Sequence, residues 1–400
     1  MAGRYKAYSE HQESGVEWLG EIPKNWKVKR LKHLCRVKTG AKDTQDSIEF
    51  GEYPFFVRSQ TVERISSYSA DCEAILTAGD GVGVGKVFHH YKGKFDYHQR
   101  VYMLSSFHGI TGRFLFYYLS NNFHKVALDG NAKSTVDSLR LPQFLNFEFS
   151  LPSLSEQKQI ARFLDHETGK IDLLIEKQHA LIALLKEKRQ AVVHSAIQHP
   201  ETQKCRLENC SEIISRPIHR LDDVEYTAVG LYNRGRGIFH KDTTLGRDLG
   251  DSYFFHLEAG DLIFSGQFAW EGAVALTREC ERGCIASHRY PVIRGKSGMV
   301  DTAYLWAFFA SQTGDFLLNE NSRGAAGRNR PLNMNSLSKE MIPVPPLSAQ
   351  HEVARLVYAE RKLEELIGEP IQLLQERRTA LISAAVTGKI DVRDWTAPEA

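Results

Sequence analysis

The sequence lacks a run of apolar residues long enough to cross a bilayer, for which about 18 are needed. Its start, Met1-Ala-Gly-Arg-Tyr-Lys6, lacks the hydrophobic region of a signal peptide. A cytoplasmic chain with no membrane association is therefore expected. It also lacks a surplus of either charge: 51 Lys and Arg stand against 49 Asp and Glu, a formal net charge of +2. That balance excludes a histone-like polycation, but not nucleic-acid binding, because charge can be uneven along a chain. Cysteine is scarce, at six: Cys35, Cys72, Cys205, Cys210, Cys280 and Cys284. In the cytosol these are expected as reduced thiols. The spacings Cys205-x4-Cys210 and Cys280-x3-Cys284 miss the usual C-x2-C of structural zinc, so buried thiols are expected and no metal. Apolar residues are present in ordinary measure, 42% of 400, which excludes disorder and suits two to four domains.

The chain repeats itself. Residues 151–164 read LPSLSEQKQIARFL and residues 344–357 read VPPLSAQHEVARLV, an offset of 193. Further on, Glu187-Lys-Arg-Gln-Ala matches Glu376-Arg-Arg-Thr-Ala at an offset of 189, so the second copy has lost four residues, about one helical turn. Upstream, Arg30-Leu31 answers Arg206-Leu207, Ala78-Gly-Asp80 answers Ala259-Gly-Asp261, and Gln99-Arg100 answers His288-Arg289. Such a period is too long for a solenoid and implies duplication of a whole unit. The expected division is a variable domain over 1–150, a helical region over 151–200, a second variable domain over 201–343 and a second helical region over 344–400.

The helical regions carry the clearest periodicity. Ser155 is a fitting N-cap for a helix from Glu156, and Ser348 for its counterpart. Positions 160, 164, 167, 171, 174, 178, 181, 185, 188 and 192 alternate in steps of four and three, and seven of the ten are apolar. In the second copy Val353, Leu356, Leu363, Leu366, Leu373, Leu374 and Leu381 form the matching face, with a kink or restart expected at Gly368 and Pro370. Two such stripes in one chain most economically pack on each other as an antiparallel coiled coil. The variable domains read as mixed α/β. Tyr53–Val57, Val101–Leu104, Leu262–Phe264 and Ala273–Leu276 read as short strands, and Phe114–Leu119 and Tyr304–Phe309 as buried helices. The fold class is α+β.

Known catalytic patterns are missing. Gly79-Asp-Gly-Val-Gly-Val-Gly-Lys86 imitates a phosphate-binding loop, but the register fails, since Asp80 and Val87 occupy places that need Gly and Ser or Thr. No methyltransferase, metalloprotease, hydrolase or nuclease motif occurs. The adjacent His89-His90 pair would face opposite ways on a strand and makes a poor metal site.

Charge, by contrast, is unevenly placed. Residues 24–42 hold eight basic residues and no acidic one. Residues 1–150 carry 20 basic and 16 acidic residues, and 201–343 carry 17 and 18, with Arg predominating among the 17. Several of those Arg lie beside Gly and Asn, where the backbone can approach a phosphate and a guanidinium can fork onto phosphate or guanine. The candidate DNA-binding residues are Lys38, Arg58, Gln60, Lys86, Gln99, Arg100 and Lys133 in the first half. In the second they are Arg234, Arg236, Ser265, Gln267, Ser287, His288, Arg289, Arg328 and Asn329. For any one of them, a solvated surface loop is the plain alternative.

Four stretches carry a family likeness: Gly15-Val-Glu-Trp-Leu-Gly-Glu-Ile-Pro-Lys-Asn-Trp26, the twin segments Pro152-Ser-Leu-Ser-Glu-Gln157 and Pro345-Pro-Leu-Ser-Ala-Gln350, and Ala384-Ala-Val-Thr-Gly-Lys-Ile-Asp391. On these and the duplicated layout, the sequence resembles the specificity subunit of type I restriction–modification enzymes over nearly all 400 residues. Ala349 stands where the family usually has Glu. The resemblance implies a non-catalytic subunit with two target-recognition domains, each reading one half of a split double-stranded DNA site. It implies that the helices space those domains and bind two methyltransferase (modification) subunits, which restriction subunits then join. No cofactor is expected in this chain; S-adenosylmethionine, ATP and Mg would belong to the partners. Half-sites about one turn apart imply ~34–36 Å between reading heads, within reach of a helix of ~40 residues and ~60 Å. The competing readings are a stand-alone DNA-binding regulator, an enzyme with an unfamiliar site, and a protein-binding scaffold.

Overall fold

In the computed structural model, which describes residues 5–127, 139–324 and 330–398, two sheets of one plan dominate. The chain divides into two units: Met1–Glu176 with Pro370–Ala400, and Lys177–Glu369.

The first unit opens with a hairpin of β1 (His11–Glu13) and β2 (Glu21–Pro23), whose tip holds Gly15 and Gly20 at positive φ. Strands β3 (Lys27–Arg30), β4 (Arg36–Thr39), β5 (Tyr53–Phe56), β6 (Glu63–Ile65), β7 (Ala70–Ala78), β8 (Phe88–Tyr97) and β9 (Val101–Ser105) follow. Six of them form one sheet in the order β4-β9-β7-β8-β5-β6. Strand alternation sends neighbouring side chains to opposite faces. Ile75 and Leu104 accordingly pack with helix α1 (Gly112–Asn122), while Ala74, Leu76 and Met103 pack with Phe56 and Phe95. Both faces are covered, which is why Ala74-Ile-Leu76 is apolar at successive positions rather than alternating. Strand β10 (Glu148–Leu151) pairs back onto β3 and leads into α2 (Leu154–Ile197).

The second unit repeats this plan in shorter form. Its strands are β11 (Gln203–Arg206), β12 (Ser211–Ile213), β13 (Leu262–Phe264), β14 (Val274–Leu276) and β15 (Val292–Gly295). Four of them form a sheet in the order β12-β15-β13-β14, matching β4-β9-β7-β8 strand for strand. Leu262 and Phe264 face helix α3 (Thr302–Phe309), and Ile263 faces the other way toward Ala275 and Val292. After α4 (Gln312–Glu320) comes β16 (Met341–Val344), which pairs with β11 as β10 pairs with β3. Helix α5 (Leu347–Val386) closes the repeat.

The twin Pro-x-Leu-Ser-x-Gln segments have one task. In the first unit Gln157 Oε1 accepts from the Thr111 N–H (2.8 Å), and its amide nitrogen donates to Gly109 O (3.1 Å) and Pro152 O (3.0 Å). In the second, Gln350 accepts from the Asp301 N–H (2.7 Å) and donates to Met299 O (3.1 Å) and Pro345 O (2.7 Å). Thr111 and Asp301 are the N-caps of α1 and α3. Each glutamine, fully buried, thus ties the start of a long helix to the start of the helix under its sheet.

The residue where the copies differ is also explained. Glu156 Oε1 accepts from Tyr8 Oη–H (2.6 Å) and Trp26 Nε1–H (3.2 Å), both from the segment around the first hairpin. The equivalent Ala349 instead packs against the apolar cluster of the second unit.

Helices α2 and α5 are 44 and 40 residues long, in keeping with the four-residue deletion. Within each unit their segments run antiparallel. In the first, Ile160 and Phe163 share a core with Leu381 and Ala385, and Arg378 pairs with Asp172 at 2.8 Å. In the second, Val193 and Ala196 share a core with Val353 and Val357, with Lys186–Glu364 at 2.9 Å and Arg189–Glu360 at 2.8 Å. Three details differ from the sequence reading. The first helix begins at Leu154 rather than Glu156, because the Ser153 hydroxyl, not Ser155, takes the Glu156 N–H. The covered stripe shifts by one residue at every second position, to Ile171, Ile175, Gln178, Ile182, Leu185 and Arg189, leaving Leu174 and Leu181 exposed; on α5 Leu366 and Leu373 are likewise exposed. Finally, α5 does not restart at Pro370: the carbonyl of Leu366, which the proline leaves without a donor, lies on an exposed turn where water can reach it.

Candidate nucleic-acid interface

The first cluster forms where β7 ends. Gly79 donates its N–H to Arg100 O and its carbonyl accepts from the Leu139 N–H, both at 2.9 Å. Asp80 follows, nearly buried, and accepts from Arg58 Nη1 (2.9 Å) and from Arg100 Nη1. Burial works to raise the Asp80 carboxyl, but hydrogen bonds from Arg100 and Arg58 and their charges outweigh it, so the group titrates below the usual carboxylate range. The same bond holds Arg100 above its ordinary value. Both guanidiniums stay about half exposed, 43% for Arg58 and 62% for Arg100, so they are aimed by Asp80 yet open to a ligand. Gln60 donates to Lys86 O (3.1 Å) across the turn that follows Asp80, and the Lys86 side chain is exposed. Gln99 donates to Asp43 (2.7 Å). Lys38, exposed on β4, lies one residue from the end of that strand, where Thr39 pairs with Tyr102 beside Arg100. Six of the seven first-half candidates therefore collect at one end of one sheet. The seventh, Lys133, falls outside the described residues.

The second cluster forms where β13 ends. Gly266 donates its N–H to Arg289 O (2.7 Å) and accepts from the Leu332 N–H (2.8 Å). A Cβ there would lie 2.5 Å from the Arg289 carbonyl oxygen, so the position requires glycine. These are the bonds of Gly79, which makes Gly266, not Gly260, its counterpart. The match of Ala78-Gly-Asp80 with Ala259-Gly-Asp261 is thereby corrected. The first turn leaves a strand, whereas the second precedes one, and Asp261 is buried against Arg216 (2.7 Å) and Arg294 (2.6 Å) as a structural pair. The signal for the right match was the apolar pair four residues ahead of the glycine, Ile75-Leu76 in one copy and Leu262-Ile263 in the other. The match of Gln99-Arg100 with His288-Arg289 holds through the two carbonyl bonds.

Around Gly266, buried Ser265 caps the turn by accepting the Phe268 N–H (3.1 Å). Gln267, His288 and Arg289 are exposed, and Ser287 is half-buried at the end of a short strand. Arg234 and Arg236 lie apart from these on a loop whose Arg234 and Gly235 N–H groups donate to Glu271 O and Gly272 O. Arg234 has a positive φ of 59°, and Arg236 stacks over Tyr232 at 5.3 Å. Arg328 and Asn329 fall outside the described residues. The sequence reading missed Asp80 and Asp43, the carboxylates that aim Arg58, Arg100 and Gln99. Asp80 stood out only as part of a Gly-Asp turn, and Asp43 carries no local pattern that marks it. Chemically, each cluster offers exposed Arg and amide donors on a fixed turn, the group types that fork onto phosphates and base edges. The Gly79–Lys86 segment itself joins strand to strand rather than strand to helix.

Comparison with known proteins agrees with the likeness read from the motifs. Residues 23–184 match the family model for the type I restriction modification DNA specificity domain. The type I restriction enzyme EcoDI specificity subunit of Escherichia coli is 26% identical over 421 residues, spanning 94% of this chain and 91% of the relative. Among solved structures, the type I restriction–modification S subunit from M. genitalium matches with a TM-score of 0.56 at 13% identity, covering 94% of this chain and 99% of that one. A chain from a structure of complex assembly and conformational transition in the type I R-M system matches at 0.51 and 13% identity, covering 92% and 99%. At such identities the structural matches speak for the fold. Among the described residues, no helix is long and apolar enough to cross a membrane.

Proposed function

We propose that this type I restriction–modification specificity subunit reads a split, asymmetric DNA target, one half with each cluster, and docks the subunits that modify and cleave it. The observation that carries the reading is the shared frame at Gly79 and Gly266. One backbone arrangement presents Asp80-aimed Arg58 and Arg100 in the first unit, and Gln267, His288 and Arg289 in the second. Two heads of one design with different side chains suit two different half-sites. An Arg fork suits guanine or phosphate and a Gln amide suits adenine. The long helices supply the docking faces. Leu173, Leu174 and Leu373 of the first unit and Leu181, Leu184 and Leu366 of the second are exposed, an expensive use of leucine unless a partner covers them. On this reading two methyltransferase subunits bind there and restriction subunits join them, in the cytoplasm. S-adenosylmethionine, ATP and Mg belong to those partners, and this chain holds the duplex while a partner flips the adenine it methylates.

The test is co-purification with the co-expressed methyltransferase, followed by footprinting across a salt series. Two protected segments whose protection falls steeply with salt are expected. Equal protection by this chain alone would favour a stand-alone regulator, and methylation or cleavage by it alone would make it an enzyme.

A further inference from the structure

The turn that follows Asp80 has one side chain to offer. From Gly81 to Gly85 the chain reads Gly-Val-Gly-Val-Gly, and no side chain there can donate or accept a hydrogen bond. The two valines have opposite fates. Val84 is 3% exposed and packs in the core of the first unit, whereas Val82 is 88% exposed. A single exposed apolar residue needs no explanation by itself. Val82 differs in being held still and in standing among outward-aimed donors.

The turn is closely pinned. The Val84 N–H donates to Gly81 O (3.1 Å) and the Val87 N–H to Gly83 O (2.9 Å). Gly81 has a φ of 76°, and a Cβ on Gly83 would lie 2.5 Å from Arg58 O, so both positions require glycine. A β-branched side chain adds its own restriction at χ1. Val82 thus presents its isopropyl group from a fixed frame. It lines the same groove, of about 360 Å³, as Arg58 and Asp80, and Asp80 aims Arg100 as well.

We infer that Val82 is a specificity-determining residue that reads the C5-methyl group of a thymine in the first half-site. The inference rests on the target-reading proposal and adds the identity of one base to it. Along the major groove, donors and acceptors of the base edges answer Arg, Gln and Asn, and the thymine methyl is the apolar feature. A polar residue on this turn could serve a phosphate or a base edge; an isopropyl group serves neither. A wedge between base steps is the other use of an apolar side chain at DNA, but wedges are Phe, Leu, Ile, Met or Pro. Valine is short and branched, and fits against a methyl group better than between two bases. The first half-site therefore places a thymine beside the bases that Arg58 and Arg100 contact.

The test uses this chain in complex with its co-expressed methyltransferase, and duplexes that carry the mapped target. Each thymine, on either strand, is replaced in turn by deoxyuridine, which keeps the base pair and lacks only the methyl. One replacement is expected to slow methylation at sub-saturating DNA about fourfold, the worth of one buried methyl group. Val82→Ala should slow it by about as much on the thymine duplex and should not respond to that deoxyuridine. Substitution at so exposed a position leaves the fold intact. Arg58→Ala and Arg100→Ala, assayed on variant targets, test the underlying reading separately. The thymine that couples to Val82 should lie in the half-site that those two variants relax. If they relax one half-site but no thymine in it couples to Val82, or that half-site has no T·A pair, the inference about Val82 is overturned and the reading stands. If both Arg variants keep full specificity at each half-site, the reading itself fails, and the inference falls with it.

Discussion

Replacing Gln350 with Ala removes three hydrogen bonds from a fully buried position. One N–H, that of Asp301, and two carbonyls, of Met299 and Pro345, lose their partner. A buried donor left alone costs ~1–3 kcal/mol, and a carbonyl, with two lone pairs, somewhat less. Taking about 2 kcal/mol for the N–H and about 0.5 for each carbonyl gives a loss of about 3 kcal/mol for the second unit. Hydrogen exchange followed by mass spectrometry resolves the two units, where a single melting curve would blend them. Exchange of the α3 amides in Gln350→Ala should speed up by about two orders of magnitude, while the α1 amides stay unchanged. Gln157→Ala should show the mirror image. Gln350→Glu tests the division of labour, because it keeps an acceptor for Asp301 but loses both donated bonds. A loss below about 1 kcal/mol, or equal acceleration in both units, would refute the view that each glutamine clamps its own half.

Other outcomes follow from particular contacts. Arg289→Ala or Gln267→Ala should relax methylation specificity at the second half-site only; equal loss on every sequence would make them phosphate contacts. The Asp80 carboxyl titrates lower folded than unfolded, so its stabilisation is complete above about pH 4 and is lost as pH falls through the lowered value. Asp80→Asn should therefore weaken the acid sensitivity of the first unit, and an unchanged acid midpoint would count against the pairing. Glu156→Ala should free Tyr8 and Trp26 and raise exchange across residues 5–26 by roughly tenfold, with no matching change in the second unit. Equal protection of that segment in the variant would show that Glu156 does not hold it.

Much of this plan was legible because it rests on local pattern. The repeat, the short apolar strands and the two helices under the sheets were all readable from spacing and turn chemistry. The glutamines were visible as a repeated letter, though not their task, which depends on a helix start 46 or 49 residues away in sequence. The heptad stripe was displaced by one residue because Leu174-like positions compete with Ile175-like neighbours, and only the opposing helix decides which is covered. The Gly-Asp turns misled for a similar reason. Both copies contain the dipeptide, but strand pairing, not composition, fixes which side of a strand it occupies. The carboxylates that aim Arg58, Arg100 and Gln99 are separated from them by 20 to 56 residues, and no local rule connects such pairs.

The division of the chain sets an order of assembly. The second unit is a single stretch, Lys177–Glu369, whereas the first needs Pro370 onward as well. Leu381, Ile382, Ala385, Val386, Ile390 and Val392 complete its core, and the Asp391 N–H closes on Lys6 O at 2.7 Å. Synthesis runs from the N-terminus at roughly 5–20 residues per second. The half made first must therefore wait, with part of its core uncovered, until the half made second has left the ribosome. A message cut short after residue 369 would release a complete second unit tethered to an unfinished first one.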